Sequence, residues 1–266
     1  VYVAALGMTS VLFGSLPIPS QGGDRLVSKA VTTAISALFR RTDRLEATVR
    51  AEPVAKLLQG SVDGFDLLGN GLEMYNGLRI EALELYLQAV SIDFGAIFRG
   101  AVSLRQPTQA TMRVVLTEAD LTTSFNTPFV VGKLQRLQFD GQSFGIRNTQ
   151  MQLNADKTLG IQSQIQIGDG GDWTDIDLTA ALEVEGRTRL QFVEVTYKGN
   201  EAAIALGQAL VAHVNNLLDL DTFALDGTRL RVDRVRLLGK QIIFYGVAHI
   251  DHFPQRTGAQ TAASAA

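Results

Sequence analysis

Hydrophobic and polar positions along this chain switch between two periods, and the switches mark out its elements. From Asp24, a residue type that caps helix starts, apolar residues recur at Leu26, Val27, Ala30, Val31, Ala34, Ile35, Leu38 and Phe39. They form one stripe of a helix, closed by Arg40 and Arg41, whose charge suits a helix C-terminus. Over residues 44–52 the period falls to two: Leu45, Ala47, Val49 and Ala51 alternate with charged or hydroxyl side chains, which predicts a half-buried strand ended by Pro53. Strands are also predicted over 61–68 and 78–94. The second changes its apolar parity between Ala82 and Leu83, where a bulge or bend would keep side chains facing inward.

The same reading continues through the chain. Residues 112–116 are short and apolar, and Thr117-Glu118-Ala119-Asp120 has capping-box spacing, starting a helix that Pro128 should end or kink. Strands are predicted over 143–153, 159–167, 174–185 and 189–198. A second long helix is expected over 201–220, with Ala203, Leu206, Leu210, Val214, Leu217 and Leu218 on one face. At about 1.5 Å per residue it would be near 30 Å long. Residues 225–250 predict two strands, the first changing parity across Asp233-Arg234, again as a bulge does. Strands come in runs, and no composition shift or linker divides 24–253. The prediction is one α+β domain with a largely antiparallel sheet.

The ends read differently. Residues 1–23 are mostly apolar and carry no charge, but Pro17 and Pro19 interrupt them and no basic segment precedes them. The apolar run over 1–18 falls short of the roughly 20 residues a spanning helix needs, and residues 1–23 are expected to form an arm packed on the fold or an interfacial anchor, in preference to the remnant of a cut signal. Residues 254–266 end in Gly, Ala, Thr, Ser and Gln and read as a disordered tail.

Composition then narrows the chemistry. The chain has 266 residues, 46% of them hydrophobic and 19% charged, which is enough to bury a sizeable core. Its 24 Lys plus Arg against 27 Asp plus Glu leave a net charge of −3 and no global footprint for nucleic acid. With no cysteine there is no disulfide framework, thiolate metal site or cysteine nucleophile, and three histidines leave little for imidazole catalysis.

Several local motifs resolve into ordinary structure. Gly141-Gln142-Ser143-Phe144-Gly145 matches the nucleophile elbow of α/β hydrolases, with Asp177 or Asp226 and His213 or His249 following in chain order. The elbow needs a helix directly after its serine, whereas residues 146–153 are strand-like. Asp169, Asp172, Asp175 and Asp177 offer oxygens for calcium, but Asp and Gly in this density are hairpin chemistry. Asp219, Asp221 and Asp226-Gly227 read the same way. His249 and His252, three apart on a strand, face opposite sides, and His213 sits inside the second long helix. There is no dinucleotide or Walker fingerprint. Arg229, Arg231, Arg234 and Arg236 alternate along one strand beside Lys240. Alternating arginines are the ordinary solvated face of a strand; gathered on one surface they would attract anionic head groups, each worth about 1 kcal/mol near a charged membrane.

One resemblance spans the body of the chain. The stretches Glu52-Pro53-Val54-Ala55-Lys56-Leu57-Leu58-Gln59-Gly60-Ser61-Val62-Asp63, Gly69-Asn70-Gly71-Leu72, Leu78-Arg79-Ile80-Glu81, Ile92-Asp93-Phe94, Gln106-Pro107-Thr108-Gln109-Ala110, Leu116-Thr117-Glu118-Ala119-Asp120-Leu121, Leu220-Asp221-Thr222-Phe223-Ala224-Leu225-Asp226-Gly227 and Ile250-Asp251-His252-Phe253 together resemble the LmeA-like phospholipid-binding family, in particular its cyanobacterial members. The resemblance implies a fold akin to the tubular lipid-binding proteins: a long, curved, largely antiparallel sheet wrapped around two long amphipathic helices, with an apolar groove for acyl chains. It carries no catalytic motif.

Together these readings predict a non-enzymatic phospholipid or acyl-lipid binder, peripheral to a membrane, without cofactor, metal or nucleic-acid partner. The expected wall residues are Leu38, Phe39, Phe125, Phe129, Ile161, Ile165, Leu178, Leu182, Leu206, Leu210, Val214 and Leu217, with Arg229, Arg231, Arg234 and Arg236 at the head-group rim. The rival reading is an assembly partner that has a filled core and docks a membrane protein complex without lipid. Periodicity alone does not separate an apolar tunnel from a packed interior.

Overall fold

Two antiparallel meanders, with helices along their edges, make up the fold. In chain order the elements are α1 (Gly23–Ser36), β1 (Arg44–Arg50), α2 (Ala55–Leu58), β2 (Ser61–Glu73), β3 (Arg79–Ser91), α3 (Phe94–Ile97), β4 (Thr108–Thr117), α4 (Glu118–Phe125), α5 (Pro128–Gln135), β5 (Gln138–Phe139), β6 (Gln142–Leu153), β7 (Leu159–Ile167), β8 (Thr174–Glu185), β9 (Arg189–Lys198), α6 (Glu201–Leu217), a 3₁₀ turn (Leu220–Thr222), β10 (Thr228–Leu238) and β11 (Gln241–Ile250). This computed structural model describes residues 23–53, 55–97, 103–136, 138–139, 141–168 and 170–252. The arm expected over 1–23, Gly23 apart, and the tail expected over 254–266 lie outside the described residues.

The α+β class and the antiparallel pairing agree with the sequence pattern; the single wrapped sheet does not. The strands divide into a six-stranded sheet of order β1-β2-β3-β4-β11-β10 and a five-stranded sheet of order β5-β6-β7-β8-β9. The α4–α5 pair interrupts the ladder after β4, the intervening strands form their own meander, and the C-terminal hairpin returns to complete the first sheet. Ile243 pairs with Val115 at that join. Such a join depends on a long loop closure that no local pattern encodes.

Strand boundaries follow the alternation closely: β7, β8 and β9 span the predicted residues. The parity change in β10 is a true bulge, with the register against β11 shifting between Val232 and Arg234. That in β3 is a bend without a shift. The β2–β3 register stays continuous, Asn70 facing Ala82 and Leu72 facing Ile80, and the kink falls at Gly71, opposite Glu81. Gly71 has φ +56°, and the Asp43 carboxylate occupies the place a Cβ would take, so only glycine turns the strand here.

Helix ends depart further from the pattern. α1 stops at Ser36 because the Arg40 and Arg41 N–H groups donate to the Glu73 carbonyl, and the Arg40 side chain pairs with the Glu73 carboxylate at 2.9 Å. Partners on β2 thus outcompete the last helical turn. α6 ends at Leu217 as the Leu218 carbonyl accepts from the Leu190 N–H. The capping box forms: the Thr117 hydroxyl accepts from the Asp120 N–H, and the Asp120 carboxylate from the Thr117 N–H. The helix that starts there ends at Phe125, before Pro128 as expected, and Pro128 occupies the first turn of a new helix, α5, capped by Thr127.

Polar residues on the helices complete strands left without a neighbour. The α1 hydroxyls of Thr32 and Ser28 accept from the Ala47 and Val49 N–H groups on β1, at 2.9 and 3.0 Å. Thr122, Asn126 and Glu118, on or beside α4, accept from Met151, Thr149 and Leu153 on β6. On α6, the Asn215 amide both accepts from the Phe192 N–H and donates to its carbonyl on β9. Buried backbone groups need partners and free edges invite aggregation, so these side chains place each helix against its sheet edge.

Candidate functional site

The inward face of the six-stranded sheet is apolar from end to end. Leu83 and Leu85 on β3, Met112, Val114 and Leu116 on β4, Leu230 on β10 and Phe244 on β11 share it, and together they bound one side of a cavity of about 280 Å³. Leu121 and Phe125 of α4 and Val130 and Leu134 of α5 form another wall. Leu182 of β8, Phe192 of β9, Val214 of α6 and the segment 223–225 complete it on the side of the second sheet. Among the described residues the polar side chains on the lining are Arg79, Ser124, Lys133 and Thr228, with no carboxylate.

The cavity is partly open to solvent, and a larger side chain at Val114 or Leu85 would fill part of it, yet both positions hold ordinary aliphatics. Apolar space of this kind takes apolar guests, and at about 280 Å³ this one lies near the lower bound, about 300 Å³, of pockets that bury small ligands.

Of the wall residues predicted from sequence, Leu38, Phe39, Phe125, Leu182 and Val214 line the cavity. Ile161, Leu178 and Leu210 border instead a crevice of about 10 Å³ beneath α6, which Phe125 and Val214 also touch. Ile165, 0% exposed, lies in the filled core away from both. Phe129 packs edge-on to the cavity residue Phe223, ring centres 6.4 Å apart, and Leu206 packs against the core as a partly buried side chain. The Leu217 side chain lies outside the described residues. Sequence reasoning missed the inner face of β3, β4, β10 and β11, because its alternation is the same as that of the filled sheet.

The four arginines sit on the other side of β10. Thr228, Leu230 and Val232 face the cavity, so the alternation turns Arg229 and Arg231 outward, and the bulge keeps Arg234 and Arg236 outward after it. Arg229 pairs with Asp251 at 3.4 Å and Arg231 with Asp221 at 3.2 Å. Arg234 stacks on Tyr245, 4.7 Å from the ring centre. Arg236 is exposed and has no ion-pair or hydrogen-bond partner among the described residues. Outer-face charges are linked across strands: Glu84 on β3 pairs with Arg113 on β4.

Glu118 and Tyr197, which lie where helices meet the sheets, depart from their ordinary ranges for local reasons. The Glu118 carboxyl is held below the usual carboxylate range by its hydrogen bond to Lys240 at 2.7 Å and by the Leu153 N–H. Burial pushes the Tyr197 phenol up, under α6. The motifs weighed from sequence take structural places. Ser143 lies in β6, with strand following it, so the elbow geometry is missing. Asp175 and Asp177 receive hydrogen bonds from Gln164 and Gln162, and Asp169 lies outside the described residues. Among the described residues no group of three or more His, Asp or Glu is placed to hold a metal ion. No helix among them is long and apolar enough to cross a membrane.

A family model described as LmeA-like phospholipid-binding matches residues 18–247. The chain belongs to the LmeA-like phospholipid-binding family. The match takes in every element from α1 into β11, and so all of the cavity walls except Ala248 and Ile250. This LmeA-like chain matches no curated protein and no solved structure. Its family is one of phospholipid binding rather than of a known catalytic activity, which accords with a site built of hydrocarbon.

Proposed function

We propose that residues 24–253 act as one unit that binds phospholipid without catalysis, seating acyl chain in the cavity between the two sheets and leaving the head group at the surface. The observation that carries this is an apolar cavity of about 280 Å³, with no carboxylate among the described residues that line it, in a chain of a phospholipid-binding family. Each methylene moved from water into such a site contributes about 0.8 kcal/mol, so burying about ten of them contributes on the order of 8 kcal/mol. In this reading the protein works peripherally at a membrane and carries lipid at or between bilayers, since lipid must enter from one.

The test is native mass spectrometry before and after incubation with phospholipid vesicles, on the wild type and on Val114→Trp. An adduct of phospholipid mass on the wild type, sharply reduced in a Trp variant of unchanged or higher melting temperature, is the expected result, because the indole fills the space that the chain would take. Wild-type protein that stays free of lipid would overturn the reading and favour docking of a membrane protein complex instead.

A further inference from the structure

Among the described residues the charged ones on the cavity lining are Arg79 and Lys133, both cations. Arg79 opens β3, beside the hairpin turn, and its backbone N–H donates to the Ser124 hydroxyl of α4 at 3.1 Å. That turn lies against the start of α5, since a Cβ on Gly77 would meet the Thr127 methyl at 2.9 Å. Lys133 is on α5, its ammonium 4.9 Å from the centre of the Phe129 ring. Arg79 is exposed and Lys133 half-buried, so both belong at once to the cavity wall and to solvent, which places them at its mouth.

Neither cation has an anionic partner among the described residues. Glu73, which faces Arg79 across the hairpin, is engaged by Arg40 at 2.9 Å. The outward arginines of β10 differ: Arg229 and Arg231 are already paired with aspartates. Two cations that line the same apolar cavity, with no carboxylate paired to them among the described residues, are a place that a bound anion suits. Ser124 spends a lone pair on the Arg79 N–H and keeps its proton to donate.

We infer that Arg79, Lys133 and Ser124 form the head-group site for the phosphate of an anionic phospholipid whose chains occupy the cavity. The inference rests on the lipid-binding reading above. A guanidinium fork and a mobile ammonium are the donors that suit phosphate oxygens, and their position at the mouth orients the lipid chains first. Selectivity for net negative lipids follows: a zwitterionic choline head group brings its own cation to a rim that already has two.

The experiment loads wild type, Arg79→Gln, Lys133→Gln and the double variant from vesicles of equimolar phosphatidylglycerol and phosphatidylcholine, then quantifies both lipids on the recovered protein. Arg236→Gln is the control for loss of one exposed positive charge. Wild type and Arg236→Gln should favour phosphatidylglycerol on the order of tenfold, as charge-assisted contacts allow, and the double variant should load both lipids about equally with total load retained. A preference that survives in the double variant, or is absent from the wild type, overturns the head-group site while leaving lipid binding intact. An equal loss in Arg236→Gln assigns the preference to net charge and also overturns it. Displacement of the lipid by excess soluble glycerol phosphate would assign the rim to a free anion instead. Failure of every protein to load either lipid would remove the lipid-binding reading, and this inference with it.

Discussion

Ile165, Leu178 and Ala180 on the five-stranded sheet are 0% exposed, whereas Leu83 and Leu85 on β3 and Val114 on β4 of the six-stranded sheet are only partly buried, bordering a cavity. Both faces are aliphatic and alternate with the same period. What differs is the covering. α6 lies close on β8 and β9: at Gly207 a Cβ would come within 2.8 Å of the Tyr197 ring and 3.4 Å of Ile176. Over the six-stranded sheet the short helices α4 and α5 stand at one side, and at Gly132 on α5 an added Cβ would meet nothing within 4 Å. α6 thus closes part of the five-stranded sheet at close approach, while the face of the six-stranded sheet, together with Leu182 and Phe192 opposite it, borders a space that α4 and α5 do not fill.

The sharpest way to break this comparison is the same truncation on both faces. Leu178→Ala should destabilise by about 3 kcal/mol and Leu85→Ala by about 1 kcal/mol or less, since the first opens a void in close packing and the second only widens one. Urea midpoints at unchanged slope read the difference, and equal losses would end the distinction between a filled and an open half. The two helix glycines give a smaller effect with opposite signs. Gly207→Ala forces the Tyr197 ring or the helix to shift and should cost about 1–2 kcal/mol, while Gly132→Ala should raise stability by about 0.5–1 kcal/mol through helix propensity. Thermal unfolding of the pair checks both.

The smallest effect concerns the strap between the halves, where Glu118 holds the Leu153 N–H of the five-stranded sheet and Lys240 of the C-terminal hairpin. Its carboxyl titrates below the ordinary range, so its contribution is complete above the unfolded carboxylate value of about 4.3 and is lost as pH falls through the lower folded value. Glu118→Gln should cost about 1 kcal/mol at neutral pH, and the gap to wild type should close in acid. A gap that stays constant down to acid unfolding would show that the charge of Glu118 contributes nothing.

Much of this was legible residue by residue. The bounds of β7, β8 and β9, the capping box at Thr117 and the bulge at Asp233 all follow from spacing, because each is set by neighbours within a few positions. The end of α1 was not, since Glu73, far along the chain, takes the N–H groups of Arg40 and Arg41. Nor was the division into two sheets, which turns on β11 joining β4. Among the wall residues, Phe39 and Val214 face the cavity while Ile165 and Leu178 lie in filled packing, and all four read alike in the chain as apolar positions on an amphipathic element. Arg79 passed unnoticed beside the more conspicuous arginines of β10, whose alternation drew attention although their charges are largely spent on Asp251, Asp221 and Tyr245.

By itself the sequence determined the α+β class, the strands, their caps and turns, and the blocks that mark an LmeA-like chain. Tertiary structure alone decided where hydrocarbon meets hydrocarbon and where it meets a void. Periodicity reports which side of an element faces inward; how closely the opposite wall approaches depends on strands and helices brought together from distant parts of the chain, and it is that distance which makes one interior a core and the other a cavity.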